Sequence, residues 1–341
     1  MDALNPEDTI NDYEDYYSLE STDGHGLCKK THVKKFSLTF LPIFYNTTCA
    51  FGIVANSILL FLVTKHKTLR KLLPLQMIIS DILFTLSLPF WAAHAGSLWV
   101  FGYHGCKAIT LVYMVNLYSS NLFIASLQMF TSTKRNVILS ITVWLSSILA
   151  AAVHVNFVEI FQEENTCTYQ FKDNHEWKLY LRFQMIVVGF LIPFLIMLIS
   201  LPLRYCVTTM RMNSYQVCRV KFGFTVMFFL LWFPYTLVIF LLALQDIHVF
   251  HGCAISIHFD LAIHVTESIA FMHVFLNPLV YMFLNKKVWK RLKNMCKSQR
   301  EYLLEESSSS SDQDGDIELK SVQRCQASSA ERPNNFLPEP K

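Results

Sequence analysis

Apolar and polar positions fall in long blocks along this chain rather than alternating residue by residue. Phe36–Thr64, Ala108–Thr133, Asn136–Val158, Phe183–Leu203, Phe222–Gln245 and Ser268–Asn285 contain no Asp, Glu, Lys or Arg, and Leu72–His94 carries one acid, Asp81. A helix needs about 20 apolar residues to cross roughly 30 Å of hydrocarbon. A soluble core helix is usually shorter and charged on one face. The blocks therefore predict an all-α membrane protein, a seven-transmembrane helix bundle. Its work must be passage or signalling across a bilayer.

The charges sit between the blocks and orient them. The first 23 residues hold eight acids (Asp2, Glu7, Asp8, Asp12, Glu14, Asp15, Glu20, Asp23) and no Lys or Arg. Basic residues cluster in every second gap: Lys65, Lys67, Arg70 and Lys71; Lys134 and Arg135; Arg204, Arg211, Arg219 and Lys221; then Lys286 to Arg300. The positive-inside rule puts the N-terminus outside and the C-terminus inside. The expected organisation is an extracellular acidic tail over 1–35 and the bundle over 36–285. An amphipathic eighth helix over 286–297, with Val288, Trp289 and Leu292 on one side, would lie against membrane lipids. A disordered cytoplasmic tail would cover 298–341. No leader is read before the acidic start. The expected location is the plasma membrane, multi-pass, with traffic through endosomes. The low charged fraction, 16% against roughly 25% in soluble domains, agrees with one membrane domain.

Nine cysteines divide by side. Cys28, Cys106, Cys167 and Cys253 fall on the oxidising side, where disulfides persist. They can form two bridges, with three pairings open. Cys49, Cys206 and Cys218 lie within or at the ends of helices and read as buried thiols. Cys296 follows the basic amphipathic stretch and is a candidate for palmitoylation. Asn46-Thr47-Thr48 matches a glycosylation acceptor but lies inside the first helix, out of enzyme reach.

Polar residues inside hydrocarbon are costly and point to function. Asp81 is the lone acid at mid-depth, and Ser120, Asn56, Asn277 and His273 are expected to converge on it. The group is either structural glue or a sodium- or proton-sensitive hinge; a sodium ion near Asp81 is the one cofactor candidate. Pro234 beside Trp232, Pro278 beside Asn277 and Tyr281, and Pro193 in the fifth helix predict kinks and mobile helices.

An enzyme is not expected, since the sequence shows no phosphate loop, no metal-spaced His/Cys set and no nucleophile triad. His248, His251 and His258 match no metal spacing. No internal repeat supports a transporter, and no nucleic-acid partner is expected. Asp12-Tyr13-Glu14-Asp15-Tyr16-Tyr17 reads as a sulfated cluster, with Tyr13, Tyr16 and Tyr17 as the sites, that attracts a basic protein. Ser307, Ser308, Ser309, Ser310 and Ser311 lie among Glu305, Glu306, Asp312, Asp314 and Asp316. Phosphorylation there would add about −1.5 to −2 charges per site and make an arrestin-recruiting block.

Asn56, Asp81, Cys106, Trp144, Pro193, Trp-x-Pro at 232–234 and Asn-Pro-x-x-Tyr at 277–281, in that order, resemble the rhodopsin-like G-protein-coupled receptors over residues 25 to 300. Ser87-Leu88-Pro89-Phe90-Trp91, Trp99-Val100-Phe101-Gly102, Glu176-Trp177-Lys178 and His264 to Ala270 resemble the chemokine receptors of CC type. Leu27 to Lys30, Phe40 to Tyr45 and Trp177 to Gln184 are similar to a scavenging, atypical member. The resemblance implies bridges Cys106–Cys167 and Cys28–Cys253. It implies a switch of Asp81, Trp232, Pro234, Asn277, Pro278 and Tyr281. It places the ligand pocket on Tyr45, Trp91, Tyr113, Tyr235 and Glu267. An acid there would meet the cationic N-terminus of a CC chemokine, and aromatic faces also favour cations. Asp260 and Asp246 are expected to extend a negative rim.

The resemblance breaks at the end of the third helix. Where the family has Asp-Arg-Tyr, this chain has Phe130, Thr131 and Ser132, and Trp144 follows so closely that the second inner loop is almost gone. A helix is shortened, or a coding segment has been lost from the transcript. Leu201 replaces an inward Tyr in the fifth helix, and Val153 a Pro in the fourth. The expected protein is a scavenging CC chemokine receptor with weak or no G-protein output. A Gi partner is expected only if the chain is an incomplete form of a signalling receptor.

Overall fold

The structure is a computed structural model and describes residues 30–66, 71–96, 99–129, 133–161, 165–171, 175–201, 212–250 and 252–310. Its helices are α1 (Thr31–Lys65), α2 (Leu72–Gly96), α3 (Gly102–Leu127), α4 (Thr133–Val155), α5 (His175–Ser200), α6 (Met212–Asp246), α7 (Cys253–Leu284) and α8 (Lys286–Ser310). Between α4 and α5 lies a hairpin, β1 (Val158–Phe161) and β2 (Thr166–Tyr169). Seven of the helices are long and apolar enough to cross a membrane. Side chains on their outer faces are apolar and exposed: Ile199 is 83% and Leu149 70% accessible. In water such exposure would be unstable; in lipid it is the solvated surface.

Polar atoms collect inside instead. Asn56, Asp81, Ser120, Asn121, His273 and Asn277 are fully buried. The bundle thus has apolar packing outside and a hydrogen-bonded seam within, where each buried polar group needs a partner.

α1 begins at Thr31, five residues before the expected boundary at 36, because its charged Lys34 and Lys35 extend the helix beyond the apolar block. α5 is not one continuous α-helix. Its α-helical start, His175–Gln184, runs into a π-helical turn, Met185–Leu191, before Ile192–Ser200 resumes with Pro193 near its start. α7 is likewise interrupted at Met272, between Cys253–Phe271 and His273–Leu284.

α8 starts where Asn285 caps it. The Asn285 Oδ1 accepts from Lys287 N at 3.1 Å, the usual role of an N-cap side chain. Val288 turns fully inward, and Trp289 packs on Phe283 with ring centres 4.9 Å apart. The helix runs to Ser310 rather than ending at 297. Its added turns carry helix formers and a Lys297–Glu301 pair one turn apart at 3.6 Å, which supports a helix by about 0.2–0.5 kcal/mol. Ser307–Ser310 form its last turn. Ser311 lies outside the described residues.

Candidate ligand-binding cavity

The hairpin lies across one end of the bundle. Its register pairs Ile160 with Cys167 and Val158 with Tyr169. Cys167 is bonded to Cys106 at the start of α3. Trp99 locks the preceding loop: its backbone N donates to Asn165 O at 2.8 Å, and its indole N–H donates to Gly102 O at 2.9 Å. Gly102 holds φ of +68°, a conformation that glycine adopts without steric cost. Trp99, Cys106, Val158 and Cys167 pack into a small core of their own.

Beneath this cover the helices enclose a cavity of about 1030 Å³. Tyr45, Trp91, Tyr113, Tyr235, Asp260 and Glu267, the six ligand residues read from sequence, all line it. Tyr113 donates to Glu267 Oε1 at 3.0 Å. Trp91 packs edge-on to Tyr113 at 5.7 Å between ring centres, and Tyr45 lies 5.8 Å from Phe271. These rings are both wall and packing, so a ligand meets rigid aromatic faces.

Sequence reasoning missed two wall residues. His154, near the end of α4, places Nε2 2.9 Å from the Tyr118 hydroxyl and Nδ1 3.1 Å from the Tyr169 hydroxyl. It joins α3 to the hairpin and lines the cavity. A lone histidine in an apolar block carries no signal of such a bridge. Tyr169 lies outside the membrane-spanning segments. Burial first, and the charge of Glu267 second, push its phenol above the ordinary value, so it stays protonated.

The expected negative rim is not there. Asp246 lies between Lys178 Nζ at 2.8 Å and Arg182 Nε at 2.6 Å. Asp260 is held by Lys30 Nζ at 2.5 Å. Both acids are neutralised by cations far away in sequence, which the reading of acids alone could not show. Lys34, Lys178 and Arg182 line the cavity alongside Glu267 and Asp260, so its wall is bipolar rather than acidic.

Deeper in the bundle, Ser120 donates to Asp81 Oδ1 at 2.6 Å, and Asn277 Nδ2 donates to Asp81 Oδ2 at 3.1 Å. The other two residues expected to converge there do not bond to it. Asn56 donates to Val274 O at 2.7 Å and ties α1 to α7. His273 Nδ1 lies 2.8 Å from Ala270 O, with its ring 5.2 Å from Trp232. Asn56 Nδ2 donates also to Gly52 O at 2.9 Å, so both of its bonds run from the amide nitrogen to backbone carbonyls. Trp232, Pro278 and Tyr281 are buried in the same seam, with Pro234 inside α6.

At the opposite, basic end, α3 stops at Leu127 with 26 residues, against 35 in α1. Only residues 128–132 lead to α4, which keeps 23 residues. The shortening therefore falls on the end of α3 and its connection. Phe130, Thr131 and Ser132 lie outside the described residues. Just before them, buried Gln128 bonds Thr225 of α6, with contacts of 3.3 and 3.4 Å. Lys221 donates to Ser200 O at 3.1 Å, across to the end of α5. Leu201, which follows Ser200, turns to an extended conformation.

Cys253 is also disulfide-bonded. Cys28 and the tail tyrosines Tyr13, Tyr16 and Tyr17 lie outside the described residues. Cys218, read as a buried thiol, is disulfide-bonded; spacing along the chain cannot show which thiols a fold brings within bonding reach. Cys49 remains a buried thiol, and Cys296 is exposed on α8.

The sequence model of the family described as "7 transmembrane receptor (rhodopsin family)" matches residues 55–281. Atypical chemokine receptor 2 of Mus musculus is 32% identical over 290 residues, 78% of this chain and 77% of its own length. C-C chemokine receptor type 4 of Homo sapiens is 31% identical over 310 residues, 84% of this chain and 86% of its own. The chain belongs to the chemokine receptors of the rhodopsin family. C-C chemokine receptor type 1 of Homo sapiens, 31% identical over 314 residues, covers 84% of the receptor described here. The receptor is a multi-pass membrane protein and not an enzyme. Atypical and C-C receptors match it at nearly equal identity, so likeness does not divide scavenging from signalling.

Proposed function

We propose that this chemokine receptor stands at the cell surface with its N-terminus outside and takes CC chemokines into the cavity beneath the hairpin. The observation that carries this reading is Glu267. It is an acid on a membrane helix, it lines a cavity large enough for a peptide end, and among the described residues no cation pairs with it. A chemokine's cationic N-terminus supplies what it lacks, and an unpaired carboxylate in such a site is otherwise costly.

We further propose that capture ends in uptake rather than in G-protein activation. The chain has no Asp-Arg-Tyr triplet, α3 ends before those positions, and Gln128 meets α6 through a neutral bond. The serine block Ser307–Ser311 remains as an arrestin platform, and α8 lies against membrane lipid. Asp81, Ser120 and Asn277 offer oxygen atoms to a sodium ion at the switch, the chemistry a hard cation prefers. A second reading, a Gi-coupled receptor driving chemotaxis from an incomplete transcript, is favoured by the abrupt connection 128–132. Cells expressing this chain should deplete CC chemokines from the medium with flat calcium and cyclic-AMP traces. A pertussis-toxin-sensitive calcium rise would reject the scavenging reading.

A further inference from the structure

Two phenols flank one imidazole between the cavity and the bundle core. His154 stands where α4 gives way to the hairpin, and its carbonyl accepts from Phe157 N at 3.1 Å. Its ring lies between Tyr118 of α3, at 2.9 Å, and Tyr169 of β2, at 3.1 Å. His154 and Tyr169 line the cavity. Tyr118 is not part of the lining and is fully buried.

The direction of this chain of bonds follows from donor counting. A neutral imidazole has one donor and one acceptor, and a phenol has one proton to place. Among the described residues the Tyr118 hydroxyl is bonded to His154 Nε2 alone, and a buried donor needs an acceptor. Tyr118 O–H therefore donates to Nε2, which assigns the ring proton to Nδ1, and Nδ1–H donates to the Tyr169 oxygen. The Tyr169 proton is left over at the cavity wall. When it meets an acceptor on a bound ligand, each bond behind it strengthens in turn.

At its buried end the relay reaches α5. A Cβ added to Gly189, within the π-helical turn Met185–Leu191, would come within 3.3 Å of Leu117 and 3.8 Å of Tyr118, so α3 lies directly against that turn. Three residues on from Tyr118, Asn121 Nδ2 donates to Gly189 O at 2.9 Å. Wide turns of this kind recur at functional sites because they add a residue that the surrounding helix can shed or move.

We propose that the Tyr169–His154–Tyr118 relay carries ligand occupancy from the cavity to the wide turn of α5, with His154 as its positioning residue. This rests on the reading of the cavity as a ligand site, and it concerns what a bound ligand does rather than whether it binds. The relay lies in the ligand half of the bundle and works independently of the altered end of α3.

The test reads two quantities on intact cells with a fluorescent CC chemokine: equilibrium affinity, and ligand-driven uptake per occupied receptor above the ligand-free rate. Surface receptor is counted through an N-terminal tag. H154F keeps a ring and loses both bonds, and Y118F removes one hydroxyl. Each should lower uptake per occupied receptor about fivefold, the effect of one hydrogen bond, with affinity changed by less than about twofold. The double variant should be no worse than H154F alone, because both changes cut one chain. H154Q, whose amide offers a donor and an acceptor, should restore about half of the lost uptake. E267Q should do the reverse, lowering affinity and leaving uptake per occupied receptor unchanged. If the effects of Y118F and H154F multiply, or if H154Q lowers affinity and uptake together as H154F does, His154 is a structural support and the proposal is overturned. A bound chemokine that drives no uptake in the intact receptor overturns the relay and leaves the cavity reading standing. If no chemokine binds, the cavity reading falls and the relay with it.

Discussion

Glu267 shows what a single residue contributes here. Its hydroxyl partner among the described residues, Tyr113 at 3.0 Å, holds the carboxylate in place without neutralising it. Glu267→Gln keeps the shape and removes the charge. Chemokine affinity should fall at least tenfold with surface expression unchanged, since a hydrogen bond to a charged group contributes about 1.5–3 kcal/mol. Saturation binding with a labelled chemokine measures it, and equal affinity for Gln and Glu would reject the cavity assignment. Tyr113→Phe should cost less, a few-fold, because it loosens the acid rather than removing it. Glu267 was legible in the sequence because an acid inside an apolar block stands out. Asp246 and Asp260 were visible too, but not their neutralisation. Lys178 and Arg182 lie on a different helix, and a pattern read along the chain has no term for partners brought together by packing.

Whole helices were legible for the reason single contacts were not. A span of hydrocarbon demands an uninterrupted apolar run, and seven such runs fix seven helices. Their ends were less readable, because Lys34 and Lys35 can extend α1 above the lipid and Lys297 with Glu301 can prolong α8. The early stop of α3 at Leu127 leaves a neutral contact between Gln128 and Thr225 as a tie between α3 and α6. Thr225→Val breaks it at a cost of about 1 kcal/mol, so ligand-independent internalisation should rise roughly fivefold in an antibody-feeding assay. An unchanged rate would mean that the tie does not hold the helices closed. The hairpin bridge is more demanding. Cys106→Ser should abolish surface expression, because it releases both α3 and β2; loss of a native disulfide costs about 2–5 kcal/mol. Cys28→Ser should keep expression and lower affinity, because it frees only the tail. Flow cytometry alongside binding separates the two.

For the whole molecule, the contrast is between an intact ligand end and an altered basic end. Replacing Tyr13, Tyr16 and Tyr17 by Phe should weaken chemokine capture, and the loss should shrink as salt rises, because long-range attraction is screened over about 8 Å at physiological ionic strength. Equal binding in sulfotransferase-positive cells would reject the sulfated tail. One feature of α5 reaches beyond this receptor. Inserting one residue into a turn rotates everything past it by about 100° relative to an unbroken helix. The π-helical turn Met185–Leu191 therefore separates two halves of α5 that obey different angular registers. A chimera spliced within that turn, from a donor lacking the wide turn, would swing Lys178 and Arg182 out of the cavity toward lipid while every residue still aligned. Grafts of this helix should be joined at or beyond Pro193, with the widened turn carried intact alongside the residues it aims.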